Sequence, residues 1–278
     1  MKKMKKNPIF KVSLFLLLVL LCSFSTKKKV PSITDYSQRF VPIDKNLYVD
    51  KYVVMVKDYQ LFLHEKKKMN EDCSLLMYDS TKWGQIMGPF ESNVHYYFNH
   101  KSYLHYPIVC IAYYSANEFC KWLTEKYNAN TRKQYKKVIF RLPTETEYKK
   151  VAIAHDDLTK IYYPWGHNGL YSHGKKLCNF LELDQESLNY KIDTNTNKLE
   201  YLGNFYSNSI MAVGNYDPNP YGLYDIVGNV AEMIQEEHIA MGGDWLSTGY
   251  NVRINSKSKY DKSSPTIGFR VYMEIIEF

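Results

Sequence analysis

No cysteine follows Cys178 in this 278-residue chain, and the five it has form neither a CxxC pair nor a zinc spacing with nearby histidines. Cys110 and Cys120 sit in apolar periodic segments, where a free cysteine is usually a small buried hydrophobe, so no disulfide is expected for them or for Cys73 and Cys178. A phosphate cradle is also missing. Gly242 and Gly243 have no GxxxxGK pattern around them and read as sites of close backbone packing. There is no internal repeat, and the longest apolar run, residues 12–21, is too short for an ordinary spanning helix. A single basic face is absent too. The formal charge of +7 is scattered over the N-terminus and the clusters at 26–29, 65–68 and 132–137, which argues against nucleic acid as a partner.

What is present begins with a targeting pattern. A basic stretch, "MKKMKKNPIFK", precedes the apolar "VSLFLLLVLL", so residues 1–25 are expected to be a signal peptide or lipoprotein leader and 26–39 a tether. Cys22 is the candidate lipidation site, although Leu21 departs from the small residue that usually precedes a lipidated cysteine. A signal-peptidase cut before Thr26, or an uncleaved anchor, are the alternatives. The expected location is the cell envelope, as a lipoprotein of the outer membrane facing the periplasm.

From residue 40 to 278 the chain has the composition of one globular domain, at 45% hydrophobic overall. "LYVDKYVVMV" (47–56) predicts a strand and 57–68 a helix with Tyr59, Phe62 and Leu63 on one face. "YPIVCIAYY" (106–114) predicts a second strand, leading into a helix from Ser115 with Glu118 completing a capping box. Ala116, Phe119, Cys120 and Leu123 recur on its inner face. Pro143, Thr144 and Glu147 predict another strand end and capped helix, with Tyr148, Val151 and Ala152 inward. The remainder reads as loop, with a polar excursion at 184–209 and short strands near 239–241 and 268–276. So much irregular chain usually needs an internal tie, such as a metal or a dense polar network.

The order of "YPIVCIAYYSANEFCKWL", "RLPTETEYKKVA", "YPWG", "NPYGLYDIVGNVAEM", "MGGDW" and "IGFRVYME" resembles the formylglycine-generating enzyme and sulfatase-modifying-factor family. The resemblance covers roughly residues 40 to 278 and implies a single irregular α+β domain, related to C-type lectin-like domains and low in regular secondary structure. It also implies a structural calcium site in "PNPYGLYDIVGNVAEM" (218–233), held by the side chains of Asp225 and Glu232 and the carbonyls of Gly228 and Val230. Calcium favours such a set, since a sharp glycine turn brings carbonyls beside carboxylates. The other reading is a metal-free turn in which the two acids bond to backbone amides. A second calcium site would begin at Asn179 and Phe180, but its aspartate falls near Phe205.

Members that oxidise a sulfatase cysteine hold copper(I) between two cysteines just beyond the Gly-Gly motif. Ser247 stands at the first of those positions here, and the second falls near Val252. A hydroxyl and an aliphatic chain cannot stand in for thiolates, so no copper and no catalytic residue are expected. The family's iron-dependent oxidases carry a histidine triad in a further helical domain, for which this chain has no room. His155, His167 and His173 read as solvated loop histidines, and Trp165 and Trp245 as core. Two function classes remain. One is a non-catalytic envelope protein, similar to gliding-motility and type IX secretion lipoproteins, whose partners would be envelope or secretion-system proteins and, through its N-terminus, the membrane. The other is an exported enzyme or ligand-binding module using unidentified residues.

Overall fold

A computed structural model describes residues 36, 38–87, 91–154, 161–182, 190–193, 198–201 and 209–278. The leader, Cys22, most of the tether, His155, Phe205 and much of the excursion at 184–209 lie outside them. The first predicted strand is shorter than its apolar run. Leu47–Asp50 (β2) pairs antiparallel with Phe40–Pro42 (β1), and the chain then turns away. Val53, Val54 and Met55 are buried without extending that strand, because apolar character reports burial and not pairing. Helix Val56–Lys68 (α1) follows, with Tyr59, Phe62 and Leu63 buried as expected. Two helices with no counterpart in the sequence reading, Ser80–Met87 (α2) and Glu91–Asn99 (α3), come next.

The segment 106–114 is not a strand. Ile108, Val109 and Ile111 are all 1% exposed or less, yet the backbone bonds scatter to three places. Ile108 donates to the Val54 carbonyl at 2.8 Å and Cys110 to Ser264 at 2.9 Å, while the Cys110 carbonyl accepts from Asp79 at 2.7 Å. Cys110 sits at φ +59°, which interrupts any extended run. The next helix, Tyr113–Ala129 (α4), starts two residues before Ser115 and has no side-chain cap. The Ser115 hydroxyl is instead spent on the Leu75 carbonyl at 2.8 Å. Its inner face holds, with Ala116, Phe119, Cys120 and Leu123 all buried. Phe119 packs edge-on against Phe62 of α1 and stacks on Tyr59.

The second capping box forms as the sequence predicts. Strand Lys137–Arg141 (β3) ends before Pro143, and the Thr144 hydroxyl accepts from the Glu147 amide at the start of Glu145–Ile153 (α5). Glu147 accepts in return from the Thr144 amide at 2.9 Å, and Arg141 forks onto the same carboxylate. Two small hairpins follow: Tyr171–Ser172 (β4) with Lys175–Lys176 (β5), and, within the excursion, Tyr190–Asp193 (β6) with Lys198–Tyr201 (β7). The chain then supplies Ala231–Met233 (β8), Ile239–Met241 (β9), Lys257–Lys259 (β10), Ile267–Gly268 (β11) and Tyr272–Glu277 (β12).

These strands make two four-stranded sheets. The first has the order β1-β2-β12-β3 and is antiparallel throughout; the second, β10-β9-β8-β11, ends in the parallel pair β8–β11. The first sheet is packed on both faces, with Ile139 of β3 left exposed. Phe140, Met273 and Ile275 pack with α1 and α4, whereas Leu47, Val49 and Tyr272 pack with Tyr148 and Val151 of α5. The architecture is the irregular α+β domain expected, and packing begins before residue 40. Arg39 already bonds Asp50 and Asp58, and its guanidinium lies 4.2 Å from the Tyr36 ring centroid.

One buried side chain joins the two sheets. Arg270, 0% exposed, follows β11 and spends its donors on four chain positions. Its Nη1 reaches the carbonyls of Asp50 and Lys51 at 2.9 and 2.8 Å, and its Nη2 the Tyr224 carbonyl at 2.7 Å and Glu232 at 2.7 Å. Nε donates to both Glu232 oxygens at 3.1 Å. Burial alone would push Glu232 towards its neutral form; the guanidinium opposes this. Arg270→Met should therefore cost about 3–5 kcal/mol, by leaving a buried charge unpaired. Adding Glu232→Gln should recover part of that loss in urea unfolding. Wild-type stability in the single variant would remove Arg270 from this role.

Candidate functional site

The loop at 218–233 is built around residues held in left-handed conformations. Asp225, Gly228 and Asn229 have φ of +52°, +74° and +60°. A Cβ on Gly228 would stand 2.5 Å from the Asn179 carbonyl oxygen, so the close approach there requires glycine. Asn229 then staples three segments. Its amide donates to the Asn179 carbonyl, its Oδ1 accepts from the Met211 amide and from Asn179 Nδ2, and its Nδ2 donates to the Met211 carbonyl. Upstream, the Asn219 side chain closes the turn onto the amides of Tyr221 and Leu223 and ties it to the Val151 carbonyl.

The four residues implied as calcium ligands lie on this one loop and the start of β8, and they are not equivalent. Glu232 is shared with Arg270, as described. Asp225 has no ion pair among the described residues; it accepts from the Gly214 amide at 2.7 Å, and burial pushes its carboxyl up to about 6. Among the described residues no three of His, Cys, Asp and Glu converge on one point. A cation here would therefore draw on main-chain carbonyls as well as carboxylates, as the set Asp225, Gly228, Val230 and Glu232 does. A buried carboxylate with little compensating charge fits a cation, since ligation removes the cost of burying it. At the second implied position a protein cation is already present: Lys176 Nζ donates to the Phe180 carbonyl at 2.9 Å and lies 4.3 Å from the Phe180 ring centroid. Asn179 Oδ1 beside it is buried with no hydrogen-bond partner among the described residues.

The Gly-Gly motif is a packing device. A Cβ on Gly242 would fall 2.3 Å from the Tyr148 hydroxyl, and one on Gly243 would fall 2.2 Å from the Asn251 carbonyl. Both have positive φ, at +87° and +67°. This tight contact sets the course of the next turn. The Ser247 amide donates to the Asp244 carbonyl at 3.0 Å, and the Ser247 hydroxyl accepts from the Asp244 amide at 3.2 Å. Asp244 is itself buried, with its carboxylate on the Leu246 amide at 2.9 Å, so it is a turn former. Val252 is fully buried. Ser247 instead borders an open cleft of about 470 Å³, bounded also by Tyr162, Tyr250, Arg253, Asn255 and Lys257.

Of the other candidates within the described residues, all but Trp165, which was expected in the core, fall where the sequence places them. Cys73, Cys110, Cys120 and Cys178 are buried free thiols. Burial pushes Cys110, Cys120 and Cys178 up, the last to about 12, which suppresses their thiolates. Trp245 is core, at 1% exposed, whereas Trp165 is half-buried and stacks on Tyr163. His167 accepts from the Gly169 amide, and His173 sits in the β4–β5 turn. Sequence reasoning missed Arg253. Its only signal was an arginine between two residues of an apolar pair, Val252 and Ile254, that are both fully buried.

A family model described as the Sulfatase-modifying factor enzyme 1-like domain matches residues 24–275. Over 128 residues, 46% of this chain, the sequence is 28% identical to the formylglycine-generating enzyme of Thermomonospora curvata and covers 35% of it. Over 134 residues, 48% of this chain, it is 25% identical to the serine/threonine-protein kinase pkn1 of Chlamydia caviae and covers 14% of that protein. The chain thus spans about a third or less of these curated relatives. Among solved structures, PvdO from Pseudomonas aeruginosa aligns at 16% identity with a TM-score of 0.47, covering 84% of this chain and 82% of that one. CarF aligns at 16% identity and 0.49, covering 82% and 86%. With the family model spanning nearly the whole chain, the protein belongs to the sulfatase-modifying-factor family, the family of formylglycine-generating enzymes.

Proposed function

We propose that this domain is an exported, envelope-anchored binding or interaction module that has kept its family's fold without its copper chemistry. The observation that carries the reading is Ser247. It borders the cleft at the position of the first copper cysteine, and the residue near the second, Val252, is an aliphatic chain in the core. A hydroxyl is a hard, weakly acidic ligand, unsuited to copper(I). Export is supported by the basic-then-apolar N-terminus, and Cys22 is the attachment point to the membrane. The partners are accordingly envelope proteins. Calcium, in this reading, is held by Asp225 with the Gly228 and Val230 carbonyls and a Glu232 shared with Arg270; it supplies charge balance to the loop and no chemistry.

Offered a sulfatase-type cysteine peptide with copper and oxygen, the purified protein should form no aldehyde by mass spectrometry. Turnover would return it to the oxidases. Chelation should lower the melting temperature, since an ion bound only by the folded state stabilises it by about 2.7 kcal/mol at a hundredfold excess over its dissociation constant. Asp225→Asn should abolish that difference; equal melting temperatures of the wild type in calcium and in chelator would remove the metal. Labelled palmitate should enter the wild type and not Cys22→Ala, and equal labelling of both would exclude lipid at Cys22.

A further inference from the structure

The cleft beside Ser247 contains an arginine that has no counter-charge among the described residues. The Arg253 guanidinium carbon lies 4.6 Å from the ring centroid of Tyr162 and 4.0 Å from that of Tyr250. Its Nε is buried and has no hydrogen-bond partner among the described residues. Among the described residues no aspartate or glutamate lines the cleft, and the second cation there, Lys257, is already engaged with Glu145 at 2.6 Å. Elsewhere in the domain the half-buried or buried arginines are treated differently: Arg39, Arg141 and Arg270 each pair with a carboxylate.

The backbone around Arg253 is anchored. Val252 and Ile254, both 0% exposed, anchor the chain on either side of Arg253. The Ile254 amide donates to the Tyr162 carbonyl at 3.0 Å, fixing the opposite wall, and the Ser256 amide closes onto the Arg253 carbonyl at 2.9 Å. Tyr250, by contrast, is 69% exposed, an apolar surface held in water beside a cation. Two aromatic faces stabilise a guanidinium electrostatically but satisfy none of its N–H groups. An unbonded buried donor keeps its full desolvation penalty. A planar acceptor meeting the edge of the guanidinium supplies what the rings cannot.

We propose that this cleft binds a peptide-like carboxylate, a chain terminus or acidic side chain, with Arg253 gripping the carboxylate between Tyr162 and Tyr250. The neutral side chains around it, Ser247, Asn251 and Asn255, are hydrogen-bonding groups suited to the amides of such a ligand. A volume of about 470 Å³ accommodates a short peptide segment. This names a ligand class for the binding module proposed above and rests on that reading.

The test is a titration of the full folded chain, labelled with ¹⁵N-arginine, with acetyl-glycyl-glycine, its C-terminal amide and inorganic phosphate. The free-carboxylate peptide should shift the Arg253 Nε–H resonance saturably, and the amide should bind at least tenfold more weakly. Arg253→Gln should lose that binding at an unchanged melting temperature, and Tyr250→Ala, at an exposed position, should weaken it. Equal binding of amide and carboxylate, wild-type affinity in Arg253→Gln, or no saturable shift with the peptide would overturn the proposal. Saturation by phosphate alone would overturn the carboxylate class. Aldehyde formation measured on the same preparation tests the non-oxidase reading separately, because a carboxylate grip and peptide oxidation give independent signals.

Discussion

The Glu232–Arg270 pair is the constraint on which this domain turns. Its strands are short, and long stretches of its chain lie in loops, so backbone ladders alone do not define how the two sheets meet. Arg270 does so by meeting the end of β2, the loop at Tyr224 and the first residues of β8 with one planar group. Removing two charges from water is expensive, and a buried pair is poor evidence of net stability. Its contribution here is geometric. The carbonyls it binds lie at the end of β2 and in the loops at Lys51 and Tyr224, and hydrogen bonds in a low-dielectric interior strengthen one another. A hydrophobic side chain of the same volume could fill the space without specifying which carbonyls approach it.

The same polar centre explains why the 218–233 loop is so rich in acid, asparagine and glycine. Glu232 is balanced by a guanidinium, whereas Asp225 has one backbone amide and a distant arginine, and is therefore driven upward by its burial. In the neighbouring loop Lys176 lies against the Phe180 carbonyl. The two loops thus place charge differently, one leaving an acid uncompensated and the other supplying an ammonium of its own. The left-handed residues Asp225, Gly228 and Asn229 are the backbone cost of converging carbonyls and carboxylates in so short a span.

Much of this was legible from local chemistry. The Thr144–Glu147 box needs only residues three apart, and it forms; the inner faces of α1, α4 and α5 follow from helical spacing, and they are buried. Where sequence reasoning failed, a partner far along the chain decided. Residues 106–114 are apolar enough for a strand, but their amides and carbonyls bond to Val54, Ser264 and Asp79, none of which is adjacent in sequence. Ser115 had the right residue type for a cap, and the Leu75 carbonyl, forty residues away, took its hydroxyl. Asp225 and Glu232 could be named as a pair from a motif. That Glu232 would be shared with Arg270, or that Arg253 would lie between Tyr162 and Tyr250, depends on tertiary contacts that no spacing encodes.

The Gly-Gly motif shows how fold and chemistry separate within the family. Gly242 and Gly243 are required by Tyr148 and by the Asn251 backbone, contacts that belong to the core and are indifferent to what stands at position 247. The turn that follows is held by main-chain bonds to Asp244 and by the Leu181 amide on the Ser247 carbonyl. The side chain at 247 contributes one further bond, which a serine makes at least as well as a cysteine. A serine in place of a thiol at 247 would therefore leave the scaffold almost undisturbed while offering no soft-metal ligand, and the chain beside the cleft is anchored by the buried Val252 and Ile254. A site of this kind can exchange one function for another without refolding.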